Sequence, residues 1–373
     1  MFPYSLKKKI LADDKFIADL SSSGFKEINY KPKTYYKDII KNDYYLGLLN
    51  LRHYLKLTSD YYFSLVQNAK NIDLFMLTPS ISSPMGPGSD SKAISIKFGE
   101  YKTCLVDSSQ FGLEPILMFK SISKVYCYLP SMRGEDPDKR HLNQFFHLEL
   151  EMKGKLENLQ TIIEEFIKYL CGTLLLMENT LIKMSKDSKK TINKIKIISE
   201  AEKFPEITFD EAINLLTKNK KEYLINFTKY GRDIKPRGEI ELFKILKLNL
   251  PLWIKYYDRS RVPFYQKPLL DNPDKTINAD LLFPPLLKGS FGGEIVGSGQ
   301  RQDDAKEIFE SLKRQHISSK NYQWYIDLRN QKNYQITSGF GLGVERFITW
   351  ALARDNIRDS IFYPRLKNIK TLP

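Results

Sequence analysis

The chain has 373 residues, enough for one large domain or two ordinary ones. Apolar residues make up 42% and aromatics 13%, which excludes a disordered chain, and three widely spaced cysteines (Cys104, Cys127, Cys171) argue against a disulfide framework or a structural zinc site and fit a reducing compartment. The net charge is +14, yet only 14 of the 58 basic residues are arginine, so the excess is mostly solvated lysine and points only weakly to a polyanion.

Met1–Ala12 carries lysines but no long apolar run with a small-residue cleavage site, and the apolar stretch Tyr169–Met177 is too short to span a bilayer. A soluble cytoplasmic protein with no membrane partner is expected. Residues 1–48 are mixed, with a helix at Asp13–Ser21 ended by Ser23 and Gly24. Apolar residues recur at helical spacing over 49–68, and Asp73–Pro79 reads as a short strand stopped by proline. Residues 80–92 form a loop rich in Gly, Pro and Ser. Ala93–Val106, Lys124–Leu129 and Phe145–Met152 read as strands; in the last, Phe146, Leu148, Leu150 and Met152 alternate with His147, Glu149 and Glu151. Residues 156–184 predict one long amphipathic helix, and the lysine-rich Lys183–Lys196 after it reads as a solvated face or loop. Thr208-Phe-Asp-Glu211 predicts the capped start of a helix to Asn219. The last third reads as strand, loop and helix, with Gly289–Val296, Gln323–Arg329 and Gly339–Leu342 ahead of a helix from about Val344. Strands and helices do not alternate regularly. An antiparallel sheet with helices packed against it, α+β, suits this order.

Three stretches carry chemistry. Met132-Arg133-Gly134-Glu135, a polar loop, and Arg140-His141-Leu142-Asn143-Gln144-Phe145 form a hairpin. Arg133 can fork onto a phosphate, and Phe145 offers an apolar plane to a base. Gly339-Phe-Gly-Leu-Gly-Val-Glu-Arg346 lets the backbone approach a ligand and then starts a helix. A cation in that first turn opposes the helix dipole, so Arg346 calls for an anion, which a polyphosphate supplies. Between them lies Phe291-Gly-Gly-Glu294-Ile-Val-Gly-Ser-Gly-Gln300-Arg301. Glu294 suits Mg²⁺ on a nucleotide, and Arg301 suits a substrate carboxylate or amide.

Together these stretches resemble the signatures of class II aminoacyl-tRNA synthetases, most of all the asparaginyl enzymes of the aspartyl/asparaginyl/lysyl subclass. The hairpin is similar to the family's motif 2, and Gly339–Arg346 to motif 3. Gly293–Gly297 with Gln300-Arg301, and Trp324–Arg329, are asparaginyl-like. Helix 49–68 and the strand ending at Pro79 stand where motif 1 belongs. The resemblance covers about residues 50–370. It implies a six- to seven-stranded antiparallel sheet flanked by helices, a homodimer built through motif 1, and ATP bound with Mg²⁺.

Position by position, the resemblance implies that Arg133 holds the α-phosphate and that Phe145 and Arg346 sandwich the adenine, Arg346 also meeting the γ-phosphate. Glu135 would place the adenine, Arg140 would reach the distal phosphates, and Glu294 would hold the metal with Asp280 as its acidic companion. Arg133 and Arg346 are the catalytic candidates. Loop 80–92, with Ser89, would close on the amino acid. Gln110, Glu114 and Arg301 would read its side chain, favouring asparagine, with aspartate second. Met132 and Gln144 depart from the family's Phe and Glu at those positions. No nucleophile or general base is needed: the amino acid's carboxylate attacks the α-phosphate, and positioning and electrostatics do the rest.

Residues 1–48 lack a run of five strands, so they read as a short extension without the family's anticodon-binding barrel, ahead of a catalytic domain over 49–373 with a helical, Lys-rich insertion around 156–225. The expected activity is therefore AMP-forming activation of an amino acid with transfer to ammonia, an amine or a small molecule. Charging of tRNA through acceptor-stem contacts alone, and a non-catalytic nucleotide- or RNA-binding regulator, are the alternatives.

Overall fold

The computed structural model describes residues 3–20, 24–28, 30–82 and 92–372. The first helices are α1 (Tyr4–Asp19), α2 (Tyr35–Lys41) and α3 (Tyr44–Asp60), the last continuing into a π-helical turn to Val66. Strands β1 (Lys70–Asn71), β2 (Leu77–Thr78), β3 (Ser95–Phe98) and β4 (Tyr101–Leu105) follow, then the short helix α4 (Gln110–Leu113) and the long hairpin β5 (Lys124–Met132) and β6 (Gln144–Lys153). Next come α5 (Leu156–Leu176), α6 (Glu178–Met184), α7 (Ser188–Glu200), β7 (Glu206–Thr208), α8 (Phe209–Lys218), β8 (Ile225–Thr228), β9 (Gly231–Ile234) and α9 (Pro236–Ile245). The chain ends through β10 (Leu252–Lys255), β11 (Asn278–Phe283), β12 (Gly293–Gln300), α10 (Ala305–Arg314), α11 (Gln323–Arg329), β13 (Thr337–Gly343) and α12 (Val344–Ala351).

Eight strands form the main sheet in the order β1-β5-β6-β13-β12-β11-β10-β7. The six from β5 to β10 are antiparallel throughout, as expected of an α+β fold, while the two short edge strands pair parallel to their neighbours. One face of the sheet is apolar. Leu148, Leu150, Phe340 and Leu342 point from β6 and β13 into a core shared with α3, α5 and α12. Their alternate neighbours Glu149, Glu151, Gly339 and Gly341 turn to the other face, where a cavity lies. The period-two pattern of β6 therefore separates core from binding face rather than core from solvent. Phe166 of α5 is fully buried against Phe63, with ring centroids 4.6 Å apart. Phe166→Ala is expected to cost about 3–5 kcal/mol, measured by urea unfolding.

Several elements differ from expectation for local physical reasons. The helix expected over 156–184 breaks at Met177, which leaves helical geometry. Asp14 of α1 restarts it, its carboxylate accepting the backbone N–H groups of Asn179 and Thr180 at 2.9 Å each and so capping α6 from outside. The helix expected at Asp13–Ser21 accordingly begins earlier, at Tyr4. Asp73–Pro79 is not one strand: Ile72 donates to Tyr126 of the main sheet, and Met76 accepts from Val106 beside a separate small sheet β2-β4-β3, so the segment crosses between sheets. Ala93–Val106 is a hairpin turning at Gly99, where φ is +61°. Gln323–Arg329 is helical, because Tyr322, Tyr325, Ile326 and Arg329 bury one side at spacing i, i+3, i+4, i+7. The strand expected at Gly289–Val296 starts at Gly293 and runs on to Gln300. The lysine-rich segment forms α7, and the Thr208–Glu211 capping box is present as predicted.

Candidate active site

Two cavities on the polar face of the sheet meet each other. The larger holds about 360 Å³ and is lined by Gln110, Asp280, Glu294 and Arg301; the smaller holds about 130 Å³ and is lined by Glu135, Arg140, Phe145 and Arg346. Arg133, His147, Glu294 and Gly341 line both. The two regions thus join beside one guanidinium and one carboxylate.

The smaller region is built by the β5–β6 hairpin and the start of α12. Asn143 locks the hairpin mouth: its carbonyl accepts the Arg133 N–H at 2.9 Å, and its amide donates to the carbonyls of Arg133 and Glu135 at 2.8 and 2.6 Å. The Arg133 guanidinium carbon lies 5.5 Å from the Phe145 ring centre, and its buried Nε has no partner among the described residues. Arg140 stacks on Phe291 at 4.4 Å and donates to the Gly292 carbonyl at 2.7 Å. Arg346 donates to Glu294 Oε2 at 3.1 Å, so in this state the anion called for at the helix start is a carboxylate. Its neighbour Glu345 turns the other way, pairing with Arg52 at 2.8 Å and accepting the Phe146 N–H. That buried bridge anchors α12 and leaves Arg346 facing the cavity.

Glu294 and Asp280 flank Gly297: a Cβ there would lie 3.6 Å from one carboxylate and 3.5 Å from the other. Burial works to raise the Glu294 pKa, but Arg346, Arg133 and Arg140 outweigh it and hold it below the usual range. Burial and the Glu294 charge push Asp280 well above its usual value. Two oxygen-donor side chains facing one cavity fit a Mg²⁺ that takes its remaining ligands from phosphate and water. Among the described residues no cluster of three or more such ligands is formed.

The sequence did not point to Glu239 of α9. Its carboxylate accepts the Glu294 N–H at 3.1 Å and lies 3.8 Å from Arg140, and burial pushes its pKa to about 7. Helix α9 is thereby tied to Glu294 and Arg140. His147 donates to or accepts from Ser131 at 3.0 Å, and burial, then Arg133 and Arg346, hold its pKa well below the usual imidazole value. It is neutral at pH 7. His141 is paired with Asp138 at 2.9 Å.

In the larger region Gln110 is buried, and its Nε2 has no partner among the described residues. Arg301 is clamped by Glu151, Nε and Nη2 donating at 3.0 and 2.9 Å. Glu114 does not line the cavity. It is fully buried behind it, 2.5 Å from Arg329 and 2.6 Å from the Tyr325 hydroxyl. Ser89 lies outside the described residues.

The family of class II tRNA synthetases (D, K and N) matches residues 74–367. The chain belongs to the class II tRNA synthetases. It is 32% identical over 272 residues to the asparagine–tRNA ligase of Pyrococcus furiosus, covering 72% of this chain and 58% of that one. It is 30% identical over 311 residues to the asparagine–tRNA ligase of Mycoplasma genitalium, covering 80% and 65%. A crystal structure of asparaginyl-tRNA synthetase from Pyrococcus horikoshii complexed with asparaginyl-adenylate matches with a TM-score of 0.78 at 26% identity, over 90% of this chain and 72% of that one. The chain spans less than two thirds of the length of these two curated relatives. Among its described residues no helix is long and apolar enough to cross a membrane.

Proposed function

We propose that this synthetase activates asparagine with ATP, forming asparaginyl adenylate and pyrophosphate, with aspartate the second candidate. The junction of the two cavities at Arg133 and Glu294 carries this reading, because it offers one place where an amino-acid carboxylate and an α-phosphate can meet. One carboxylate oxygen bonds to the α-phosphorus, the bond to the bridging oxygen breaks, and pyrophosphate leaves with the electron pair; no proton is transferred. In this reading Arg133 stabilises the charge on the α-phosphate, Arg140 and Arg346 that on the leaving group, and Phe145 and Glu135 hold the base. Mg²⁺, held by Asp280 and Glu294, would supply charge neutralisation. The likeness to an adenylate-bound asparaginyl enzyme supports the same assignment.

The relatives' names favour tRNA as the acceptor over ammonia, an amine or a small molecule. The non-tRNA expectation drew on the short stretch before residue 49, and a chain spanning 58% of a relative does not define what precedes it. A homodimer through motif 1 draws support from Leu65 and Phe75, large apolar side chains of that segment that are 74% and 92% exposed. Asparagine-dependent exchange of labelled pyrophosphate into ATP is the expected result. Exchange with none of the common amino acids overturns the reading, and acid-stable asparaginyl-tRNA formed on adding bulk tRNA identifies the acceptor.

A further inference from the structure

A carboxamide side chain needs a donor for its oxygen and an acceptor for its N–H groups. Arg301 supplies the donor, since Glu151 takes only Nε and Nη2 of its guanidinium. The acceptor is less obvious. Glu114 is enclosed by Arg329 and Tyr325, outside the cavity. Glu149 lines the cavity and accepts from Ser108 and the Ser109 N–H, one at each oxygen, whereas Gln266 Oε1 accepts from no described residue.

We propose that Gln266 is the residue that accepts the substrate's carboxamide N–H and so determines preference for asparagine over aspartate. Gln266 lies in the loop before β11, 7% exposed, and lines the larger cavity. Its Oε1 is buried with no hydrogen-bond partner among the described residues, a costly state for an amide oxygen unless a ligand completes it. It forms an antiparallel bridge with Arg301, which sets the two side chains on the same face. Its amide lies flat on Gly299, where a Cβ would fall 1.9 Å from Oε1. Gly299 is paired across the sheet with Gly339, where a Cβ would fall 2.5 Å from Arg301 Nη2. Two facing glycines thus give Gln266 and Arg301 a common floor, one presenting an acceptor and the other a donor. A carboxylate in the same place sets two lone-pair-bearing groups against each other at Oε1.

The inference rests on asparagine activation, and one experiment separates the two. Pyrophosphate exchange is measured with asparagine and with aspartate for the wild-type chain, Gln266→Met and Gln266→Glu, each first shown to be folded by its melting curve. Gln266→Met keeps the volume and removes the acceptor. It is expected to raise the KM for asparagine about tenfold with kcat within about threefold, and to lower the KM for aspartate because the repulsion at Oε1 is gone, so that the preference falls by at least about tenfold. Gln266→Glu restores an acceptor and is expected to recover the preference for asparagine. An equal loss for both substrates, or an asparagine-to-aspartate ratio unchanged in Gln266→Met, overturns the role of Gln266 and leaves the activity standing. Wild-type exchange with neither substrate overturns both.

Discussion

Arg346→Ala is expected to lower asparagine-dependent pyrophosphate exchange by about 10²–10³-fold while the protein stays folded. The magnitude is that of removing one preorganised charge donor from a transition state that spreads charge over phosphate oxygens. The selectivity for chemistry over stability follows from its contacts: Arg346 bonds to the Glu294 side chain and carbonyl and is not wedged into the core. Arg346 is also the largest influence holding the Glu294 pKa down against burial, so its loss raises that pKa and frees the Glu294 oxygen that it holds. A variant with full exchange, or one that loses rate only by unfolding, contradicts this placement.

Arg329→Leu is expected to act the opposite way, on stability first. Arg329 and Glu114 form a pair with side chains 1% and 0% exposed, 2.5 Å apart. Burial alone would lower the arginine pKa, and Glu114 outweighs it. Removing the cation strands a carboxylate in the interior, at a cost of about 3–5 kcal/mol in denaturant unfolding. Replacing both by leucine should recover most of that loss, because no buried charge remains. If the single and double variants are equally unstable, stacking of the Arg329 guanidinium on Tyr325 and Tyr334, its carbon 3.8 and 4.9 Å from the ring centres, matters more than its pairing with Glu114.

Much of the candidate site could be read from the chain because its residues sit in short contiguous stretches: Arg133, Glu135, Arg140 and Phe145 on one hairpin, Glu294 and Arg301 on one strand and its end, and Arg346 at a helix start. What escaped is long-range. Nothing near Glu114 announces that Arg329 will neutralise it, and nothing near Glu239 announces that α9 will reach β12. Gln266 sits among aromatics in a segment with no strand or helix periodicity, so only its unsatisfied oxygen in the folded chain draws notice. The break at Met177 has the same origin, since the cap that permits it comes from Asp14. The polar alternation on β6 was visible, but its meaning depends on which face of the sheet the helices cover.

The Gly299–Gly339 pair carries a consequence for variation. Neither glycine has a positive φ, so alanine is permitted by the backbone at both and excluded only by space. Their contribution is room, and room is lost by adding atoms rather than by deleting them. A single methyl group at position 339 would fall 1.8 Å from Glu151 Oε2 and dislodge the guanidinium it holds. Truncation scanning, which replaces side chains by alanine to find what matters, takes glycine as already minimal and would pass over the two positions that define the pocket's depth.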